Sequence, residues 1–251
     1  MGRDRFPTTH LSAVLGVGSP EPEIRRRSLE TLVGAYWRPV YAHVRLKWRC
    51  CAADAEDMTQ SFFARALEKD FFAGYDPARG RFRTFLRTCL DRFVANEAKA
   101  AARLKRGGAV EVLPLDFSLA EADLATAGAH PEEAFDAAWV RALFGLAVER
   151  LRRLCEAEGR GGDFRLFARY DLDDAGRGAL TYEALAAETG LTPSLVTNRL
   201  ARARREFRTA LLAALREITG SDEEYRLEAR LLLGREPARE EDPHGTSDAE
   251  R

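Results

Sequence analysis

The sequence predicts an all-α protein with two small helical domains, an acidic flexible linker between them and a helix-turn-helix unit in the second domain. Three observations support this prediction. Apolar residues recur at spacings of three and four along most of the chain, which is the period of an amphipathic helix. No segment keeps the apolar-polar alternation that a half-buried strand requires. One internal stretch lacks periodicity and separates two periodic regions.

The first domain is predicted over residues 23–106, after an N-terminal extension of residues 1–22. The apolar spacing predicts three helices in it, over about 23–47, 53–72 and 80–106. Pro39 lies inside the first of them and is expected to kink or split it, because proline lacks a backbone N–H and clashes with the preceding turn. Three amphipathic helices are sufficient for one compact core.

The linker is predicted over residues 107–130, where Gly, Ala, Asp and Glu predominate. It separates two basic segments. Residues 79–106 hold nine Lys or Arg against two acidic residues, and residues 193–209 hold five Arg against one Glu. By contrast, residues 107–138 hold seven acidic residues and no Lys or Arg. A chain of net charge −1 can therefore still bind a polyanion at two places.

The second domain is predicted over residues 131–220. Pro131 is a favourable first-turn residue, and the helix that it opens should end at the glycine-rich stretch 159–162. Further helices are predicted over about 164–170, 182–189 and 193–218.

A helix-turn-helix unit is predicted within this domain. Ala186 is small where two helices would cross, Gly190 tolerates the positive φ of the turn, and Val196 faces back to the core. Thr192 and Pro193 suit the start of the second helix. That helix should direct polar side chains into the major groove of DNA. The candidate contacts are Ser194, Thr197, Asn198, Arg199 and Arg202.

The third helix of the first domain interleaves aromatic residues with arginines. Such a mixture suits single-stranded DNA, because aromatic rings stack on bases and guanidinium groups hold the backbone. The aromatic spacing favours a core role instead, for Phe82, Phe85 and Phe93. The candidates for DNA contact are therefore the side chains expected to be exposed, namely Arg83, Arg87, Arg92, Asn96, Lys99 and Arg103.

Several function classes are disfavoured by the sequence. No stretch approaches the roughly 20 apolar residues of a membrane span, and the N-terminus lacks the apolar core of a signal peptide, so we expect a cytoplasmic protein. The four cysteines and four histidines have no metal-ligand spacing, so no metal and no cofactor is expected. No nucleophile, base or metal constellation is recognisable, so we do not expect an enzyme.

The C-terminal extension, residues 221–251, is predicted to be partly disordered. It holds ten acidic residues against five arginines and a short apolar patch that includes Leu227, Leu231 and Leu232. Two interpretations remain open. The extension could fold back on a basic DNA-binding surface, with the leucines as its anchor, or it could be a solubilising tail.

Three motifs together resemble those of a known family. Asp54-Ala55-Glu56-Asp57-Met58-Thr59-Gln60 is similar to the polymerase-binding motif of extracytoplasmic-function (ECF) sigma factors. Phe82-Arg83-Thr84-Phe85-Leu86 resembles the string that opens their promoter-reading helix, and Leu195–Arg204 resembles their recognition helix. Arg5–His10 is similar to the N-terminal extension of a subgroup described beside Ser/Thr protein kinases.

The resemblance implies an alternative sigma factor that binds core RNA polymerase and directs promoter-specific initiation. By that resemblance the beta-prime coiled coil of the polymerase would be bound by Asp54, Glu56, Asp57, Gln60 and Ser61. The basic third helix would hold the melted minus-ten strand, and the helix-turn-helix unit would bind the minus-thirty-five duplex of promoter DNA. An anti-sigma factor and a Ser/Thr protein kinase are further candidate partners.

Two other classes of protein remain as alternatives. A free-standing helix-turn-helix regulator that never binds polymerase as a sigma subunit accounts for the C-terminal half equally well, but it gives the acidic and aromatic-arginine helices no role. A helical adaptor or anti-sigma-like protein that binds only other proteins leaves the two basic segments unexplained.

Overall fold

The computed structural model describes residues 12–68, 71–72, 74–101, 115–126, 130–173 and 180–234. Every regular element within these ranges is helical, which confirms the prediction of an all-α protein. Five α-helices lie in the first half of the chain: α1 (Ala13–Gly16), α2 (Pro22–Lys47), α3 (Ala52–Glu68), α4 (Phe82–Ala101) and α5 (Phe117–Thr126). Five more follow: α6 (Pro131–Ala157), α7 (Gly161–Phe167), α8 (Tyr182–Thr189), α9 (Pro193–Glu217) and α10 (Asp222–Leu233).

The long helix α2 lies at the centre of the first half. Its apolar stripe is buried and includes Leu32, Tyr36 and Val40, as the spacing predicts. The chain stays helical across Pro39, so the helix is not split there. Pro39 is itself buried within α2, so packing on both sides holds the helix together despite the missing backbone donor.

Two apolar cores are built around shared helices. The larger core contains α2, α3 and α4, and the smaller one contains α7, α8 and the start of α9. Helix α6 contributes Leu143 to the larger core and Leu151 to the smaller one. Helix α9 runs the other way and contributes Val196 to the smaller core and Leu215 to the larger one. The division between cores therefore falls within α6 and α9.

The predicted linker differs from the structure in its middle section. Residues 117–126 form α5, which packs on α2: the Phe117 ring lies 5.5 Å from that of Trp37 and 5.1 Å from that of Tyr41. Glu121 accepts hydrogen bonds from Arg45 and Tyr41. The prediction of a flexible linker is wrong for residues 117–126, because α2 supplies an aromatic surface and a cation on which they form a helix. Residues 107–114 and 127–129 of the predicted linker lie outside the described ranges.

The ends of the chain are described only in part. Residues 1–11 and 235–251, which include the kinase-linked motif at Arg5–His10 and the predicted acidic tail, are outside the described ranges. Within the C-terminal extension, Ser221 caps α10 by accepting a hydrogen bond from the Glu224 backbone at 3.1 Å.

Candidate nucleic-acid interface

Helices α8 and α9 are joined by a tight turn at the predicted helix-turn-helix position. Gly190 ends α8 in the left-handed conformation, with φ of 68°, which glycine adopts at no steric cost. The Thr192 side chain then caps α9 by accepting a hydrogen bond from the Leu195 backbone at 3.3 Å. Leu185 and Val196 are fully buried between the two helices.

The first turns of α9 present polar groups to solvent. Ser194, Thr197 and Asn198 are all exposed, as predicted. The Thr197 hydroxyl donates to the Pro193 carbonyl oxygen at 2.9 Å. The Asn198 side chain makes no hydrogen bond within the described part of the chain, so its amide is free to bind a base edge.

Arg199 and Arg202 differ from Asn198 in being paired, although Arg202 lies one helical turn after Asn198 on the same face of α9. Both are half-buried and point at Asp163 of α7, whose side chain is 4% exposed. Arg199 Nη1 lies 3.5 Å from an Asp163 oxygen, Arg160 Nη1 lies 3.4 Å from the other, and Arg202 pairs with the same carboxylate. One buried acid thus orients three guanidinium groups along the edge of α9.

A cleft of about 550 Å³ lies beside this arginine cluster. Leucines of α7, α8 and the turn form its floor, and Arg165, Arg169 and Arg199 line its rim. Arg165 is exposed and has no ion pair among the residues that the structure describes. The sequence pattern did not indicate Arg165 and Arg169, because they precede the motif on a helix whose spacing suggests only a core role.

The predicted minus-ten contacts on α4 differ in exposure between the two halves of the helix. Arg92, Asn96 and Lys99 are exposed in its second half, as predicted. Arg103 lies outside the described residues. Arg87 is half-buried, with its guanidinium 5.4 Å from the centre of the Phe135 ring.

The prediction of an exposed side chain is wrong for Arg83. It is only 9% exposed. Its guanidinium lies 4.9 Å from the centre of the Trp139 ring, 3.1 Å from Glu228 and 3.2 Å from Asp136. The sequence pattern of α4 alone could not show this, since all three partners come from α6 and α10.

Asp91 fixes the middle of α4 against the end of α2. Its carboxylate accepts hydrogen bonds from Lys47 Nζ at 2.7 Å and from the Trp48 indole at 3.2 Å, and it lies 3.0 Å from His43 Nε2. His43 is buried, and burial lowers its pKa despite the neighbouring carboxylate. The start and middle of α4 are therefore held internally, and its last turns remain available.

The polar face of α3 carries the residues of the predicted polymerase-docking motif. Asp54 and Asp57 are exposed, whereas Glu56, Gln60 and Ser61 are half-buried. The opposite face is the buried one, with Ala55, Phe62 and Phe63 in the larger core. None of the three acidic side chains has an ion pair within the described ranges. Among the described residues, this face of α3 is therefore acidic and has no cationic partner.

Metal-binding and membrane-spanning features are absent from the same residues. No group of three or more His, Cys, Asp or Glu in the described ranges has the arrangement of a metal site. Nor do these ranges contain a helix with the length and apolarity of a membrane span.

Comparison with known proteins returned no relative. No protein-family model matches the chain, and no curated protein or solved structure is significantly similar to it. Functional inference therefore depends on the motifs and on the surfaces described above.

Proposed function

We propose that this protein is an alternative sigma factor of the extracytoplasmic-function type, which binds core RNA polymerase in the cytoplasm and directs it to particular promoters. The observation that carries the proposal is the coexistence of three free surfaces on one helical chain. These are the acidic face of α3, the basic second half of α4 and the polar start of α9.

Each surface suits a different part of initiation. The acidic face around Asp57 and Gln60 would dock on the beta-prime coiled coil. Arg92, Asn96 and Lys99 would hold the unpaired minus-ten strand through its phosphates and base edges. Asn198 and its neighbours would contact the minus-thirty-five duplex in the major groove.

A free-standing helix-turn-helix regulator is the second candidate. It is favoured by one observation: both helices of the α8–α9 unit have side-chain N-caps, and the unit packs on α6 and α7 in the smaller core. Such a protein has no use for the free acidic face of α3, however, so binding to polymerase distinguishes the two functions.

The deciding experiment is a pull-down of purified core polymerase with a variant of the α3 face. Asp57→Ala combined with Gln60→Ala should weaken polymerase binding, while helical content and melting temperature hardly change. Glu133→Ala on α6 is the matched control, because it also removes one exposed carboxylate. Wild-type polymerase binding by the α3 variant would contradict the docking face. Specific duplex binding by a protein that never binds polymerase would favour the second candidate.

A further inference from the structure

The C-terminal helix α10 lies against the first turn of α4, and a buried glutamate makes the contact. Glu224 is 7% exposed. One carboxylate oxygen accepts a hydrogen bond from the Phe82 backbone N–H at 2.7 Å. The other accepts from the Gly220 backbone N–H at 2.7 Å and from the Tyr75 hydroxyl at 3.1 Å. The carboxylate thus occupies the anion-binding position at a helix N-terminus.

A second buried glutamate faces the arginines of the same turn. Glu228 lies one helical turn after Glu224 and is 2% exposed. Its Oε1 is 3.1 Å from Arg83 Nε and 3.6 Å from Arg81 Nη1. That oxygen makes no well-directed hydrogen bond. Both guanidinium groups are therefore neutralised by a carboxylate that is itself imperfectly satisfied.

The chain around these glutamates is closely fitted. A Cβ atom at Gly220 would lie 2.5 Å from the Tyr75 ring, so only glycine permits this approach. Ala229 is fully buried on the inner side of α10. Of the leucines expected to anchor the segment, Leu227 and Leu231 are 38% and 61% exposed, whereas Leu232 packs against the larger core. The contact of α10 therefore has an apolar part and a polar part, and carboxylates carry the polar part.

We propose that the start of α4 is a nucleic-acid phosphate site, and that α10 is an intramolecular competitor for it. A helix N-terminus beside an arginine binds phosphate oxygens, and a carboxylate satisfies the same donors. Glu224 and Glu228 stand in for two phosphates of a single strand. This inference depends on the proposed function, because it assumes that α4 binds DNA.

Competition has a physical consequence for the rest of α4. A strand held by Arg92, Asn96 and Lys99 can extend to Arg81 and the first backbone N–H groups of α4 only if α10 leaves, while Arg83 stays paired with Asp136 of α6. The polyanion would have to replace two carboxylates that are already in place, so α10 lowers affinity for any DNA that engages α4. The Glu228 oxygen without a well-directed hydrogen bond makes this exchange less costly.

The test compares two substitutions on the same helix in the full chain. Glu224→Gln puts an amide where two backbone N–H groups donate, and it removes one charge. Glu223→Gln removes the same charge from an exposed neighbour. The probe is a labelled single-stranded DNA of mixed sequence, measured by fluorescence anisotropy over a series of salt concentrations.

Glu224→Gln should bind this DNA on the order of tenfold more tightly than Glu223→Gln, with a salt slope steeper by about 0.7 for each additional phosphate that the protein neutralises. Hydrogen exchange on the wild-type protein is the second measurement, and it needs no variant to fold. Adding the DNA should speed exchange of the α10 amides.

Equal affinity and equal salt slope in the two variants, with α10 exchange unchanged by DNA, would overturn the competitor role alone. Failure of every form to bind single-stranded DNA would overturn the role of α4 as well. Binding to polymerase is measured separately and is unaffected by either result.

Discussion

Helices α4 and α9 are both basic and amphipathic, and in both the arginines nearest the start are paired with acidic side chains. The start of α4 is buried under other elements, and its free basic groups lie in the second half. The start of α9 exposes Ser194, Thr197 and Asn198, yet its arginines are half-buried and paired, Arg204 with Asp171 at 2.9 Å. The exposure of a helix segment therefore does not decide whether its arginines are available for a ligand.

The two helices differ in where in the sequence the acidic partner comes from. Arg202 and its partner Asp163 are 39 residues apart and lie on two helices that share the smaller core. Phe82 and its partner Glu224 are 142 residues apart, and α10 completes the larger core from the far end of the sequence. Paired arginines in α9 are thus a local feature, whereas those in α4 depend on the tertiary fold.

The strongest test of this contrast replaces one arginine from each half of α4. Arg83→Met should destabilise the protein by about 3 kcal/mol, because Glu228 would remain buried without its closest cation. Arg92→Met should change the free energy of unfolding by less than about 0.5 kcal/mol, since that side chain is exposed and unpaired in the described structure. Urea unfolding followed by circular dichroism measures both. Equal destabilisation by the two substitutions would remove the distinction between the halves.

A second test uses the exposed asparagine of each helix. Asn198→Ala should weaken binding to a cognate promoter duplex by about 1–3 kcal/mol, through loss of a base contact. Asn96→Ala should leave duplex binding unchanged and weaken binding to the melted minus-ten strand. Anisotropy with duplex and pre-melted promoters separates the two effects. The same defect on both DNAs from both variants would contradict the division of recognition between α4 and α9.

The smallest expected effect concerns pH and the contact between α10 and α4. Burial raises the pKa of Glu228 above its ordinary value of 4.5, and the nearby Arg83 and Arg81 only partly oppose this. A raised pKa in the folded state means that the protonated form fits better. Stability from this group is then fully present below pH 4.5 and is lost as the pH rises through the folded pKa.

Glu228→Gln should remove this part of the pH dependence. Its melting temperature relative to wild type should therefore improve as the pH is raised from about 5 to about 7. Glu223→Gln should show no such trend, because that side chain is exposed. If the difference in melting temperature between Glu228→Gln and wild type stays constant over this pH range, burial does not penalise the ionised form of Glu228.

Much of this fold is encoded by apolar periodicity. The boundaries of α2, α6, α8 and α9 follow from it closely, and so do the buried faces of α3 and α4. Helix α5 was missed because its stability comes from Trp37, Tyr41 and Arg45 of α2, and none of these is adjacent in sequence. Local patterns cannot report a helix that another helix stabilises.

The residues of the candidate sites also fall into two groups, those whose environment the sequence could predict and those whose environment it could not. Exposure at Asp57, Asn96 and Asn198 was predictable, because it follows from the position of the apolar stripe on each helix. The burial of Arg83 was not, because its partners come from α6 and α10. The spacing of Glu224 and Glu228 places both on one face of α10, which signals a shared partner without identifying it.

The sharing of α6 and α9 between the two cores also sets an order for folding during synthesis. The smaller core needs no residue beyond Phe207, whereas the larger one needs Leu211, Leu215 and Ala229. At the usual rates of translation, roughly ten seconds separate the emergence of α4 from that of α10. The N-terminal half of the protein is therefore finished last. During that interval part of the apolar face of α2 stays exposed to solvent. A ribosome that stalls before residue 211 prolongs this exposure.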